Sequence, residues 1–196
     1  MDRGPATLVA AAGAGEADEV RRLLDAGVPV DARDFRGRTA VTAAAMERHA
    51  AVVRLLVDAG ADVDLQDGER NNALLVCGET GDVAVLREVL RGGPDLGATN
   101  RYGGVALIPA GDRGHVEMVR ALLATDIDVD HVNRLGWTAL LEAVMLGDGG
   151  PAHQEIVRLL VDAGADRAIA DDDGVTALEH ARERGYAEMV RILEDG

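Results

Sequence analysis

The chain contains no lysine and no serine, a single cysteine (Cys77) and four aromatic residues in a length of 196. Each shortage removes some chemistry. Without serine there is no serine nucleophile. One cysteine can form neither an internal disulfide nor a cysteine zinc site, and it suits a reducing cytosol. The absence of lysine is read as composition alone. Cations are the minority, with 20 arginines against 35 Asp and Glu, for a formal net charge of −15. Phosphate backbones and anionic membranes are held by clustered Lys and Arg. Nucleic acid and membrane surfaces are therefore not expected as partners. An acidic surface suits a basic protein segment or a cationic ligand; plain solubility accounts for the charge as well. No apolar run is long enough to span a bilayer. Thr7 to Ala12 is too short, and lacks the basic, cleavable context, for a signal peptide. A cytoplasmic protein starting at Met1 is the expectation.

What the chain does have is a period. The stretch from Asp34 to Gln66 reappears, shifted by 33 residues, from Asp67 to Thr99 and from Asn100 to Val132. It returns from Asn133 to Ala170 around an insertion, and from Asp171 to Gly196 in shortened form, with the first 33 residues in phase. A fixed period of this size marks a stack of supersecondary units, each burying its apolar face against its neighbours. Within a unit the pattern reads as a turn, an inner helix, an outer helix and a return loop. In the second unit Arg36-Gly37 makes the turn and Thr39 caps the inner helix. Val41, Ala44 and Ala45 share its buried face. Val52 to Val57 form the outer helix, and Gly60 ends it at positive φ.

The motifs G-x-T-A-L, A-A-x-x-G-H, V-R-L-L and D-A-G-A-D at fixed places in this unit resemble the ankyrin repeat, with Ala where its Thr-Pro-Leu usually has Pro. The resemblance covers the whole chain. It implies an all-α solenoid of about six helix-turn-helix repeats with short β-turn or hairpin loops and capping ends. The repeats fall at about 1–33, 34–66, 67–99, 100–132, 133–170 and 171–196, read as one domain over 1–196. It also implies binding through the turn tips and the groove-facing side of the inner helices. His49 and His115 then fall in a slot where the pattern itself has His, which makes them structural.

Departures from the pattern concentrate in the middle. Arg70 replaces the turn glycine of the third repeat, and Asn72 replaces its capping Thr. Cys77 takes a buried alanine slot and reads as structural, with no His at a matched spacing to activate it. In the fourth repeat Val105 cannot cap, so the helix is expected to start late with Pro109 in its first turn. Gly78 and Gly111 weaken adjacent inner helices. Such conflicts mark either a functional site or ordinary repeat drift. Residues 147–153 form the insertion, between the two helices of the fifth repeat, and read as a flexible lid or lip rather than a phosphate loop.

Candidate site residues follow from the register. Phe35, Tyr102 and Trp137 fall at turn tips, Tyr102 and Trp137 accompanied by Arg101 and Arg134; interface anchoring and simple packing both account for such residues. Along the inner helices Glu47, Glu79, Asp112, Glu142 and Glu183 read as one acidic row, with Met145 beside Glu142 and His153 in the insertion. The row is either an ordinary solvated face or, with the aromatic tips, a groove for a basic peptide or cationic small molecule. The first function is thus a protein-interaction module: scaffold, adaptor or inhibitor. The second is a small-molecule groove in which Asp112 and Glu142 act as acid and base. A third is a structural or oligomer-forming role. No metal-ligand spacing is present and no cofactor is expected.

Overall fold

The computed structural model describes residues 4–195. The chain divides into two compact units, the first ending at Arg101 and the second beginning at Tyr102. In the first, α1 (Gly4–Gly13), α3 (Ala40–Met46) and α5 (Ala73–Thr80) pack side by side as inner helices. Behind them lie α2 (Ala17–Asp25), α4 (Ala50–Asp58) and α6 (Val83–Arg91). The second unit repeats the plan. Its inner helices are α7 (Leu107–Asp112), α9 (Ala139–Met145) and α11 (Ala177–Glu183), and its outer ones are α8 (Val116–Leu123), α10 (Pro151–Asp162) and α12 (Ala187–Asp195). Only two isolated β-bridges occur among the described residues, Arg33 with Thr39 and Ala170 with Thr176, at the bases of hairpin turns.

The inner helices are short, and alanine-rich faces let them approach closely: Ala40, Ala44 and Ala45 are fully buried. Leucines fill the space between inner and outer layers, Leu56, Leu74, Leu75 and Leu86 in the first unit and Leu107, Leu122, Leu141 and Leu160 in the second.

Helix starts follow the side chains available. The Thr39 hydroxyl accepts from Thr42 N, Asn72 Oδ1 from Leu75 N at 2.9 Å, and Thr138 Oγ1 from Leu141 N at 3.2 Å. Thr176 and Glu179 form a reciprocal capping box. Val105 has nothing to offer, and α7 begins at Leu107 with Pro109 in its first turn, where the missing amide costs no helical bond. The result is a six-residue inner helix.

Each turn needs one left-handed residue. Gly37, Gly103, Gly136 and Gly174 provide it, and Arg70 takes φ 63° in the same slot. A side chain there costs roughly 1–2 kcal/mol, so the arginine at this turn is accommodated rather than preferred. The turns are stitched to one another within each unit: Gly68 N donates to Arg36 O at 3.0 Å, and Arg134 N to Tyr102 O at 2.9 Å.

The insertion departs from the sequence expectation. Part of it extends α10, which runs for 12 residues where α4 and α6 have 9. The remainder is held in place rather than standing free as a lid. Tyr186 Oη donates to Gly147 O at 3.2 Å. Gly147 has no room for a side chain, since a Cβ there would lie 2.3 Å from Ala143 O, and one on Gly149 would strike the Tyr186 ring.

Candidate functional site

In the second unit the turn from Asn133 to Trp137 organises the surroundings of Glu142. Asn133 Oδ1 accepts from Leu135 N at 2.8 Å and from Trp137 N at 3.1 Å. With its oxygen so used, the amide nitrogen faces α9 and donates to Glu142 Oε1 at 2.7 Å. Glu142 is only 7% exposed. Burial, and then the nearby Asp112 carboxylate, push its carboxyl up to about 7, against the opposing bond from Asn133. Glu142 therefore holds or releases a proton near neutrality, next to a second carboxyl group.

The next repeat copies this link with other residues. Asp171 takes the amides of Val175 and Asp173 and bonds His180 Nε2 at 2.7 Å. Those backbone and imidazole donors hold its carboxyl below the usual range, the Val175 amide most of all. The second repeat uses a third solution, Asp34 gripping Arg38 through Nε at 3.0 Å and Nη2 at 2.9 Å.

Around the turn tips apolar groups face water. Tyr102 is 52% exposed and Leu135 is 50% exposed, on adjacent tips, with exposed Val132 just before the second. Trp137, expected at a tip, is half-buried at the base of its turn, because it closes the hairpin by accepting from Asn133 N at 3.0 Å through its carbonyl. Leu135 takes the tip instead. Its position matches Tyr102 in the 33-residue register, so the repeat alignment carries the signal, in an aliphatic rather than an aromatic residue.

His153 also moves from its expected place. It lies in the first turn of α10, buried, in the slot that His49 and His115 occupy once the insertion is counted as five residues rather than seven. Its Nε2 meets Asp112 O at 2.9 Å, as His49 Nε2 meets Gly13 O at 3.1 Å, while Nδ1 lies 3.0 Å from Asp148 Oδ1. The Gly150 amide, and then His153, hold the Asp148 carboxyl low. Met145 is half-buried at the end of α9, and Arg134 is exposed beside Leu135. Asp112, Tyr102, Arg134, Trp137, Glu142, Met145 and His153 thus all belong to the second unit.

Phe35, Glu79 and Arg101 belong to the first. Phe35 is 90% exposed at its tip, with the Arg36 guanidinium 5.4 Å from the ring centre. Glu79 is half-buried in the last turn of α5, and Arg101 pairs with Glu69. A depression of about 310 Å³ lies between α1, the Asp34–Arg38 turn and α3. Cys77 is fully buried, which pushes its thiol up and away from nucleophilic use. Among the described residues no cluster of His, Cys, Asp and Glu could hold a metal ion, and no helix is long and apolar enough to cross a membrane.

Comparison with known proteins places this arrangement. The family model described as ankyrin repeats (3 copies) matches residues 1–67, 73–168 and 135–196. The ankyrin repeat protein YahD of Escherichia coli (strain K12) is 49% identical over 53 residues, which span 27% of this chain and only about a quarter (26%) of YahD. The crystal structure of an ankyrin repeat domain from Acinetobacter baumannii AYE matches at 46% identity and TM-score 0.93, covering 96% of both chains. The ankyrin repeat domain of Bcl-3, a member of the IkappaB protein family, matches at 30% identity and TM-score 0.86, covering 96% of this chain and 84% of that one. With its helix pairs, capped inner helices and left-handed turn residues repeating every 33 positions, the chain belongs to the ankyrin repeat family.

Proposed function

We propose that this chain is a protein-interaction module of the cytoplasm that grips a basic partner segment through the turn tips of its second unit. Ankyrin repeats are in general protein–protein interaction modules and in general not catalytic. The observation that carries the finer reading is the pair of exposed tips, Tyr102 and Leu135, joined by the bond from Arg134 N to Tyr102 O. Large apolar side chains held on rigid, adjacent turns are what interface anchors require. The carboxyl groups of Asp112 and Glu142, in the same unit, supply the complement to a cationic partner.

The test is capture of partners from the native cell by the full chain and by the Tyr102→Ala/Leu135→Ala variant. The reading expects basic proteins to be retained by the first and lost by the second, with unfolding curves superimposable. Equal retention by both refutes the tip contact.

One observation favours a second reading. A carboxyl group near neutrality beside another carboxylate is the pairing that acid–base chemistry uses, so a cationic small molecule is the alternative occupant. Direct titration with small guanidinium and ammonium compounds, read by chemical shifts at Asp112 and Glu142, distinguishes it.

A further inference from the structure

The tip contact leaves the depression of the first unit unused. Its volume, about 310 Å³, is near the lower end of the range for ligand sites, roughly 300–1,000 Å³. The floor is made of small groups, Ala10, Gly13 and Ala43. A Cβ on Gly13 would meet only the Ala43 Cβ, at an ordinary contact distance of 3.8 Å, so the floor is apolar and low, with nothing larger than a methyl group projecting from these three residues. Phe35 stands at one rim, almost wholly exposed, and Glu47, also exposed, caps the end of α3 at the other.

The charges in the lining do not cancel. The Arg38 guanidinium is taken up by Asp34, whose Oδ1 also accepts from the Arg36 and Arg38 amides. That leaves one carboxylate in excess, Glu47, which makes no ion pair with a described residue. A narrow apolar floor ending at a carboxylate suits one kind of side chain. Long basic residues lay their methylene stem on apolar surface and keep the charged head in water. An acidic occupant would meet both Glu47 and the chain's net charge of −15.

We infer that this depression receives a single arginine or lysine side chain of a protein partner, the stem lying on Ala10, Gly13 and Ala43 beside Phe35 and the head meeting Glu47. The inference rests on the reading of the chain as a protein-interaction module, but it concerns the first unit alone.

Its test needs no identified partner. The full chain, isotope-labelled, is titrated with the blocked tripeptide Gly-Arg-Gly and, separately, with Gly-norleucine-Gly, while backbone amide shifts are followed. The arginine peptide should saturate shifts at Gly13, Phe35, Ala43 and Glu47. Glu47→Gln should weaken it by about three-fold, a difference that shrinks in high salt, as for an exposed ion pair. Ala10→Leu, at an exposed helical position, should fill the floor and abolish the shifts. Equal binding of the norleucine peptide, indifference to Glu47→Gln, or shifts confined to the second unit would each overturn the assignment. Loss of partner capture on changing Tyr102 and Leu135 leaves this titration untouched, so the two ideas fail separately.

Discussion

Replacing Glu142 by Gln should make the protein more stable at alkaline pH and change little in acid. The carboxyl is raised from 4.5 to about 7 in the folded chain. Between those values the folded state holds a proton that the unfolded state has released, so stability falls as pH rises through this window and levels off above it. At about 1.4 kcal/mol per unit the whole shift is worth about 3 kcal/mol; screening by solvent at the open edge of the group lowers this to about 2 kcal/mol. Glutamine removes the charge and keeps an oxygen for the bond from Asn133 Nδ2, now 2.7 Å from Glu142 Oε1. Urea unfolding from about pH 5 to about pH 8.5 reads the difference. Trp137, the sole tryptophan, reports from the same repeat. Wild type should lose about 2 kcal/mol across this range relative to Glu142→Gln. Asp112→Asn removes the second cause of the shift and should move the titration of Glu142 to lower pH, without abolishing it. Parallel stability curves for wild type and Glu142→Gln would refute the idea that burial holds this carboxyl in its protonated form.

Other consequences test the fold. Asn72 is fully buried, and its Nδ2 has no hydrogen-bond partner among the described residues. Asn72→Thr, the cap used at Thr39, Thr138 and Thr176, keeps the acceptor, discards the orphan donor, and should raise stability by about 1 kcal/mol in urea unfolding. Arg70→Gly relieves a left-handed φ of 63°; set against the greater entropy of an unfolded glycine, the net gain should be about 0.5 kcal/mol by the same measurement. Tyr186→Phe removes the bond to Gly147 O and should cost about 1 kcal/mol. It should also raise amide exchange at 147–150, which an unanchored loop would not show.

The repeat period made most of the fold legible. Turn glycines, capping threonines and apolar spacings are local choices that agree with one another, so Thr39, Thr138, Thr176 and Gly37 can be placed from the sequence alone, as can the late start of α7 with Pro109 in its first turn. Site features were harder because they depend on which side chain accepts whose proton. For Trp137 the repeat pattern defines only the turn, not whether a residue stands at its crest or its base. His153 falls in the insertion when seven residues are counted there; its match with His49 and His115 becomes visible only when five are removed. The link from Asn133 to Glu142 spans nine positions and follows no helical or strand period, so no periodic reading finds it.

The slot that Glu142 occupies gives that link its meaning. In register it corresponds to Ala43, Val76 and Pro109, all apolar. An alanine there would pack as Ala43 does, at 4% exposure, and would carry no ionisation cost. The fold therefore has no need of a carboxyl group at this position, and keeping one is expected to cost about 2 kcal/mol at alkaline pH. Positions that break a local rule at a net cost to stability are where function is most often found. The same register position in the next repeat carries His180, paired with Asp171, so two successive repeats of the second unit replace the apolar slot with a titratable group oriented by the preceding turn. This concentrates the polar departures of the inner-helix face in the same unit that exposes Tyr102 and Leu135. If the proposed contact with a basic partner is right, ionisation of Glu142 should accompany binding: a cation brought near the carboxyl favours its charged form and releases a proton. Calorimetry near pH 7 in buffers of different ionisation enthalpy measures that proton directly. Enthalpies independent of buffer would show that Glu142 plays no part in the contact.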